Sequence, residues 1–123
     1  MILLDTNAVI WSHLGHPRAR PLARLGRQRY VSPATVLELQ LLVEIGRLTL
    51  VRNASVSDLI DEGDWLLDDV PSAAWFEEAG ALSWTRDPFD RLIAAHASLR
   101  GWRLATGDAR IAERLGARRS VLL

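Results

Sequence analysis

Short apolar runs alternate along this chain with longer stretches in which apolar residues recur at helical spacing, and residues that start or stop helices mark the joins. Ile2-Leu3-Leu4 is a buried-strand candidate, and Asp5-Thr6-Asn7 supplies N-cap chemistry for a helix opening with Ala8-Val9-Ile10-Trp11. His16-Pro17 breaks that helix, and Arg18 to Arg27 reads as a second one with Leu22 and Leu25 inward. Arg29-Tyr30-Val31 is the next strand. Ser32 and Pro33 then serve as N-cap and first position of a helix running through Val36, Leu37, Leu39, Leu42, Val43 and Ile45 to a stop at Gly46.

The middle of the chain is less regular. Leu48-Thr49-Leu50-Val51 fits a small strand or an extended link, Ser55 or Ser57 caps a short helix through Leu59 and Ile60, and Gly63 ends it. Trp65 to Val70 fits a strand or a loop. Pro71 or Ser72 opens a helix containing Ala74, Trp75, Ala79 and Leu82. Asp87-Pro88-Phe89-Asp90 starts a strong helix carrying Leu92, Ile93, Ala97 and Leu99, closed by Gly101. Trp102 to Ala105 is a strand, Asp108 starts the helix of Ile111, Ala112 and Leu115, and Ser120 to Leu123 is the last strand. Alternation of this kind predicts an α/β fold, with a central parallel sheet of about four or five strands and helices on both faces.

Four carboxylates, Asp5, Glu38, Asp90 and Asp108, are remote in sequence, yet each stands near a strand-to-helix handover or in the helix that follows it. In an open α/β sheet such positions gather along the carboxyl edge, where ligands bind. Converging carboxylates repel unless a cation separates them, and an oxygen-only donor set favours Mg²⁺ or Mn²⁺ over zinc. Helix capping alone also accounts for Asp5 and Asp108, and first-turn placement accounts for Asp90. Glu38 has no such excuse, although it could lie on the exposed side of its helix. Asp87 is assigned to capping. Thr6, Asn7 and Thr106 are polar neighbours able to orient a ligand or water, and Gly107 permits close backbone approach. Arg91 is a candidate for a phosphate contact or a surface salt bridge.

Length suits one compact domain spanning 1–123, since domains commonly hold about 100–150 residues. Hydrophobic residues at 49% and charged ones at 24% exclude a disordered or membrane-embedded chain. No apolar run approaches the roughly 18 residues of a spanning helix, and the start lacks the features of a signal peptide, so a cytoplasmic protein is expected. Without cysteine there are no disulfides, thiolate sites or cysteine nucleophiles. The formal net charge is zero, but all fifteen basic residues are arginine. Arg18, Arg20, Arg24, Arg27 and Arg29 occupy an acid-free segment, whereas Asn53 to Thr85 holds acids and no base. Arg18 and Arg20 thus join Arg91 as candidates for phosphate contacts, the alternative being a plain solvated face. His13 and His16 lack the further ligands of a zinc site, and His96 is expected to be structural.

Ile2-Leu3-Leu4-Asp5-Thr6-Asn7, Ser32-Pro33-Ala34-Thr35 leading to Glu38, Glu44 to Leu48, Arg86 to Ala95 and Leu104-Ala105-Thr106-Gly107-Asp108 together resemble a PIN-domain protein of the VapC toxin group. The resemblance implies a PIN-like α/β fold and a metal-dependent ribonuclease of a type II toxin–antitoxin pair, dimeric and held inactive by a small antitoxin protein. It maps the family's acidic cluster onto Asp5, Glu38, Asp90 and Asp108, with Thr106 beside it. The usual wording of the last motif is Thr-Ala-Asp, from which Gly107 departs. The expected activity is hydrolysis of RNA phosphodiester bonds with Mg²⁺ or Mn²⁺. A phosphoryl-accepting domain fits less well, because no second acid follows two residues after Asp5 and the chain has no lysine. A catalytically inactive binding or scaffold module is the non-enzymatic alternative.

Overall fold

The strands and helices alternate as the pattern requires. A computed structural model describes residues 1–25 and 28–123. Five parallel strands, β1 (Ile2–Leu4), β2 (Arg29–Val31), β3 (Leu66–Leu67), β4 (Arg103–Thr106) and β5 (Ser120–Leu122), stand in the order β3-β2-β1-β4-β5. The helices are α1 (Thr6–Leu14), α2 (Arg20–Leu25), α3 (Pro33–Glu44), α4 (Val56–Glu62), α5 (Ser72–Gly80), α6 (Pro88–Arg100) and α7 (Ala109–Leu115).

Side chains alternate across a strand, so a central strand covered on both faces must be apolar throughout. β1 meets this requirement: Ile2 and Leu4 enter a core with Val9, Leu22, Val31, Leu39, Val56, Leu59 and Ala105, while Leu3 enters the opposite core with Trp75, Ile93, Leu104 and Ile111. The register agrees, because Leu3 is paired with Leu104 and Leu4 with Ala105. With β1 central and its neighbours running parallel, the ends of β1, β2 and β4 release their chains along one sheet edge. Asp5, Ser32 and Asp108, the N-caps of α1, α3 and α7, lie there.

Several sequence expectations shift in detail. The Arg18-to-Arg27 helix is a 3₁₀ turn over Pro17–Ala19 followed by α2, and Arg27 lies outside the described residues. Leu48 to Leu50 takes the extended-link alternative, and Val51 opens a 3₁₀ turn over Val51–Asn53: Leu48 and Leu50 are buried in alternation, but the Leu48 N–H donates to Leu42 O, a helix carbonyl, rather than to a strand. From Trp65 to Val70 only Leu66 and Leu67 pair with β2, forming an exposed edge strand. Leu82 falls beyond the end of α5. β4 starts at Arg103 because the Trp102 N–H is used to close α6 on Ala97 O, and its ring stacks on Tyr30 at 4.3 Å. The apolar length of α3 covers two directions, since Leu39 is fully buried while Leu37 is 63% exposed and Leu41 and Ile45 also face solvent.

Candidate metal centre

Asp5 follows β1 and is held on both oxygens. Its Oδ1 accepts from the Ala8 N–H at 2.8 Å, the N-cap bond of α1, and its Oδ2 accepts from the Gly107 N–H at 3.1 Å. The latter bond crosses from β1 to the turn after β4 and ties the two central strand ends together. Burial pushes the Asp5 carboxyl up, its hydrogen bonds from Thr106, Ala8 and Gly107 pull it back, and the charge of Asp108 raises it further. The capping reading of Asp5 is therefore realised, and the same side chain also holds the turn that follows β4.

Thr106 is fully buried, and its Oγ1 accepts from the Asp108 N–H at 3.0 Å. Asp108 in turn caps α7, with Oδ1 accepting from the Arg110 N–H at 2.8 Å and from the Ile111 N–H at 3.4 Å. Thr6, also buried, is hydrogen-bonded through Oγ1 to Thr35 Oγ1 at 3.3 Å. Glu38 lies farther along α3, half-buried. Burial raises its carboxyl, the Thr6 hydroxyl lowers it, and the charges of Asp87 and Asp5 raise it again.

Asp90 sits in the first turn of α6, whose cap is Asp87: Asp87 Oδ1 accepts from the Phe89 N–H at 2.8 Å and the Asp90 N–H at 3.1 Å. Burial, then the charges of Asp87, Glu38, Asp108 and Asp5, push the Asp90 carboxyl up to about 7. Asp87 thus acts as a cap, as the sequence suggested, and also as an electrostatic neighbour of the cluster, which the sequence did not reveal.

Asp5, Glu38, Asp90 and Asp108 line one cleft of about 170 Å³, together with Thr6 and Asn7 and the apolar Leu42, Ile93 and Ile111. No arginine among the described residues lines it. As the side chains stand, no three His, Asp or Glu residues among the described residues converge tightly enough to hold an ion. Their chemistry nonetheless fits a hard divalent cation: every donor is an oxygen, and Asp5, Glu38 and Asp90 are each raised by burial and by neighbouring acids.

The remaining residues singled out in the sequence lie elsewhere. Arg91 donates through Nε to Thr85 O at 2.8 Å and through Nη1 to Gly80 O at 3.4 Å, and so braces the loop before α6. Arg18 donates to backbone carbonyls beside the site, and Arg20 is exposed at the start of α2. His13 Nε2 accepts from the Val51 N–H at 3.0 Å and His16 Nδ1 from the Arg18 N–H at 3.1 Å, so both serve the backbone. His96 is fully buried, with Nε2 2.7 Å from Asp68 Oδ2, and Arg100 Nε donates to the same oxygen at 2.9 Å. This group joins α6 to the segment after β3. Sequence reasoning missed the Gly107 N–H as a partner of Asp5; the glycine between Thr106 and Asp108 was the signal available.

No curated protein matches the chain. Its fold is similar to that of a toxin–antitoxin complex from Klebsiella pneumoniae, at a TM-score of 0.71 and 18% identity over 98% of this chain and 96% of that one. VapBC2 from Rickettsia felis, bound to a DNA fragment from its promoter, gives a TM-score of 0.66 at 20% identity over 93% and 92% of the two chains. FitAcB from Neisseria gonorrhoeae gives 0.55 at 27% identity over 90% of each. A family model for the PIN domain matches residues 2–116, nearly the full length of the sequence. The chain belongs to the PIN-domain family.

Proposed function

We propose that this protein is the ribonuclease toxin of a type II toxin–antitoxin pair and hydrolyses RNA phosphodiester bonds with Mg²⁺ or Mn²⁺. The observation that carries the reading is the shared cleft of Asp5, Glu38, Asp90 and Asp108, in which one carboxyl is pushed up to about 7. Such a group releases its proton readily when a cation replaces it. Similarity to toxin–antitoxin structures supports the biological role.

Asp5, Glu38, Asp90 and Asp108 are the metal-holding, catalytic residues of this reading. When bound, a divalent ion supplies Lewis acidity toward the scissile phosphate and lowers the pKa of water. Asp5 is oriented by its two backbone donors, and Asp90, pushed up to about 7, gives up a proton when it takes the ion, so metal binding is coupled to pH. Thr6 and Thr106 orient the carboxylates, and Asn7, exposed at the mouth, is placed to meet substrate. Leu42, Ile93 and Ile111 limit the water that enters. The products carry a 5′-phosphate and a 3′-hydroxyl. Arg20 supplies phosphate contacts, while Arg18 and Arg91 act through the backbone they brace.

No helix among the described residues is long and apolar enough to cross a membrane, and the proposed place of action is the cytoplasm, where RNA lies. The proposed partners are a cognate antitoxin and a second copy of the chain. Leu37 and Leu41 on α3 and Ile45 at its C-cap, all exposed and four residues apart, favour such association.

Calorimetric titration of the purified protein with Mn²⁺ distinguishes the enzyme from an inactive scaffold. Saturable binding that weakens as pH falls below about 7 is expected from the Asp90 carboxyl. Absence of binding would favour the scaffold.

A further inference from the structure

Gly107 has an ordinary backbone: it is not among the described glycines with positive φ, which are Gly15, Gly46, Gly101 and Gly116. An L-residue could adopt its conformation. The obstacle is a side chain, because a Cβ at Gly107 would overlap Trp11 Cη2 and Cζ3. Trp11 itself cannot easily withdraw. The Arg18 guanidinium covers its ring at 4.0 Å from the centroid, and His16 stacks beside it at 5.8 Å. Arg18 Nη2 then donates to Gly107 O at 3.2 Å and to Leu123 O at 2.9 Å, while the Leu123 N–H donates to Thr106 O at 2.9 Å. The indole presses on the turn between β4 and α7, and the guanidinium holds its carbonyl.

We propose that Trp11, Arg18 and Gly107 form a clamp that positions this turn so that the Gly107 N–H fixes Asp5 and Asp108 faces the carboxylate cleft. The proposal deepens, and rests on, the reading of that cleft as a metal centre. Trp11 and Arg18 are positioning residues: neither lines the cleft. The clamp also gives a reason for glycine where the resemblance would put alanine. A methyl group there must move either the indole or the turn, and moving the turn draws the Gly107 N–H away from Asp5 Oδ2.

The test compares the intact protein with Gly107→Ala, with Gly107→Ala combined with Trp11→Leu, and with Arg18→Met. Two quantities are measured: Mn²⁺ affinity by calorimetry, and hydrogen exchange of the residue 107 amide in the metal-free protein. Gly107→Ala is expected to weaken Mn²⁺ binding by about 10–100-fold, the usual range for a partner that orients a ligand, and to speed exchange of its amide. Adding Trp11→Leu removes the ring that the methyl would strike and is expected to restore both, a non-additive pair. Arg18→Met is expected to shift both in the same direction as Gly107→Ala, with the glycine left in place. Wild-type affinity and exchange in Gly107→Ala, or a double variant no better than the single one, would overturn the clamp. Should Gly107→Ala fail to fold, recovery of folding in the double variant supports it and continued failure contradicts it. If the wild-type protein binds no Mn²⁺, the metal reading fails by itself, and amide exchange still decides the clamp.

Discussion

Replacing Asp5 by asparagine is expected to remove metal-stimulated RNA cleavage while leaving the fold in place. The loss should exceed the roughly 10–100-fold that follows from disturbing a residue outside the ligand shell, because Asp5 is the buried carboxylate on which the strand ends converge. The fold tolerates the change for two reasons. Asparagine is as good an N-cap as aspartate, so the bond from the Ala8 N–H survives. The amide carries no charge, so the burial and the Asp108 charge that raise the Asp5 carboxyl no longer act against the folded state. Against this stands the loss of one acceptor for the Gly107 N–H, worth about 1 kcal/mol. Cleavage of labelled RNA, read beside a thermal melt, separates the two effects. Full metal-stimulated activity in Asp5→Asn would remove Asp5 from the centre.

The metal-free protein is expected to lose part of its stability as pH rises from about 4 to about 7, and Asp90 is one reason. In the folded state this carboxyl keeps its proton up to about 7, whereas in the unfolded chain it releases it near 3.8. Its contribution is therefore complete below the unfolded value and disappears as pH climbs through the folded one. Asp5 and Glu38, also raised, act in the same direction. His96 acts in the opposite one: burial lowers it although Asp68 raises it, so the neutral ring's stabilisation grows as pH approaches the unfolded value of 6.5. Asp90→Asn isolates the carboxyl because it leaves His96 untouched. The stability advantage of Asp90→Asn over the wild type should widen from pH 4 to pH 7, and saturating Mn²⁺ should reverse it by stabilising only the wild type. A pH-independent difference between the two proteins would contradict the role given to Asp90.

The parts of the molecule that were legible in the sequence are those in which local chemistry and the fold agree. β1 is read from three consecutive apolar residues followed by a cap, and α6 from Asp87, Pro88 and Gly101, whose conformations suit their places at a helix start and end. β3 was ambiguous because two exposed leucines carry no alternation, and only pairing with β2 makes them a strand. The Leu48-to-Leu50 stretch shows the converse: its strand-like alternation fits buried contacts without a ladder. In the site, the four acids could be named from their order relative to strands and helices. What could not be read was how their environments differ. Asp87 raises Asp90 across a single helical turn, and the Gly107 N–H reaches Asp5 over a separation that no local rule spans. The arginines illustrate the limit of charge patterning. Arg18, a phosphate candidate from its acid-free segment, and Arg91, a candidate for a phosphate or a salt bridge from its place after Asp90, both donate to backbone carbonyls.

The most direct measurement is cleavage of RNA by the purified protein, freed of any partner, with Mn²⁺ or Mg²⁺ and again with excess chelator. The account predicts fragments bearing 5′-phosphates when the ion is present and intact RNA when it is removed. Cleavage that persists undiminished in chelator, or intact RNA in both conditions, would contradict the assignment of Asp5, Glu38, Asp90 and Asp108 to a metal-dependent ribonuclease centre.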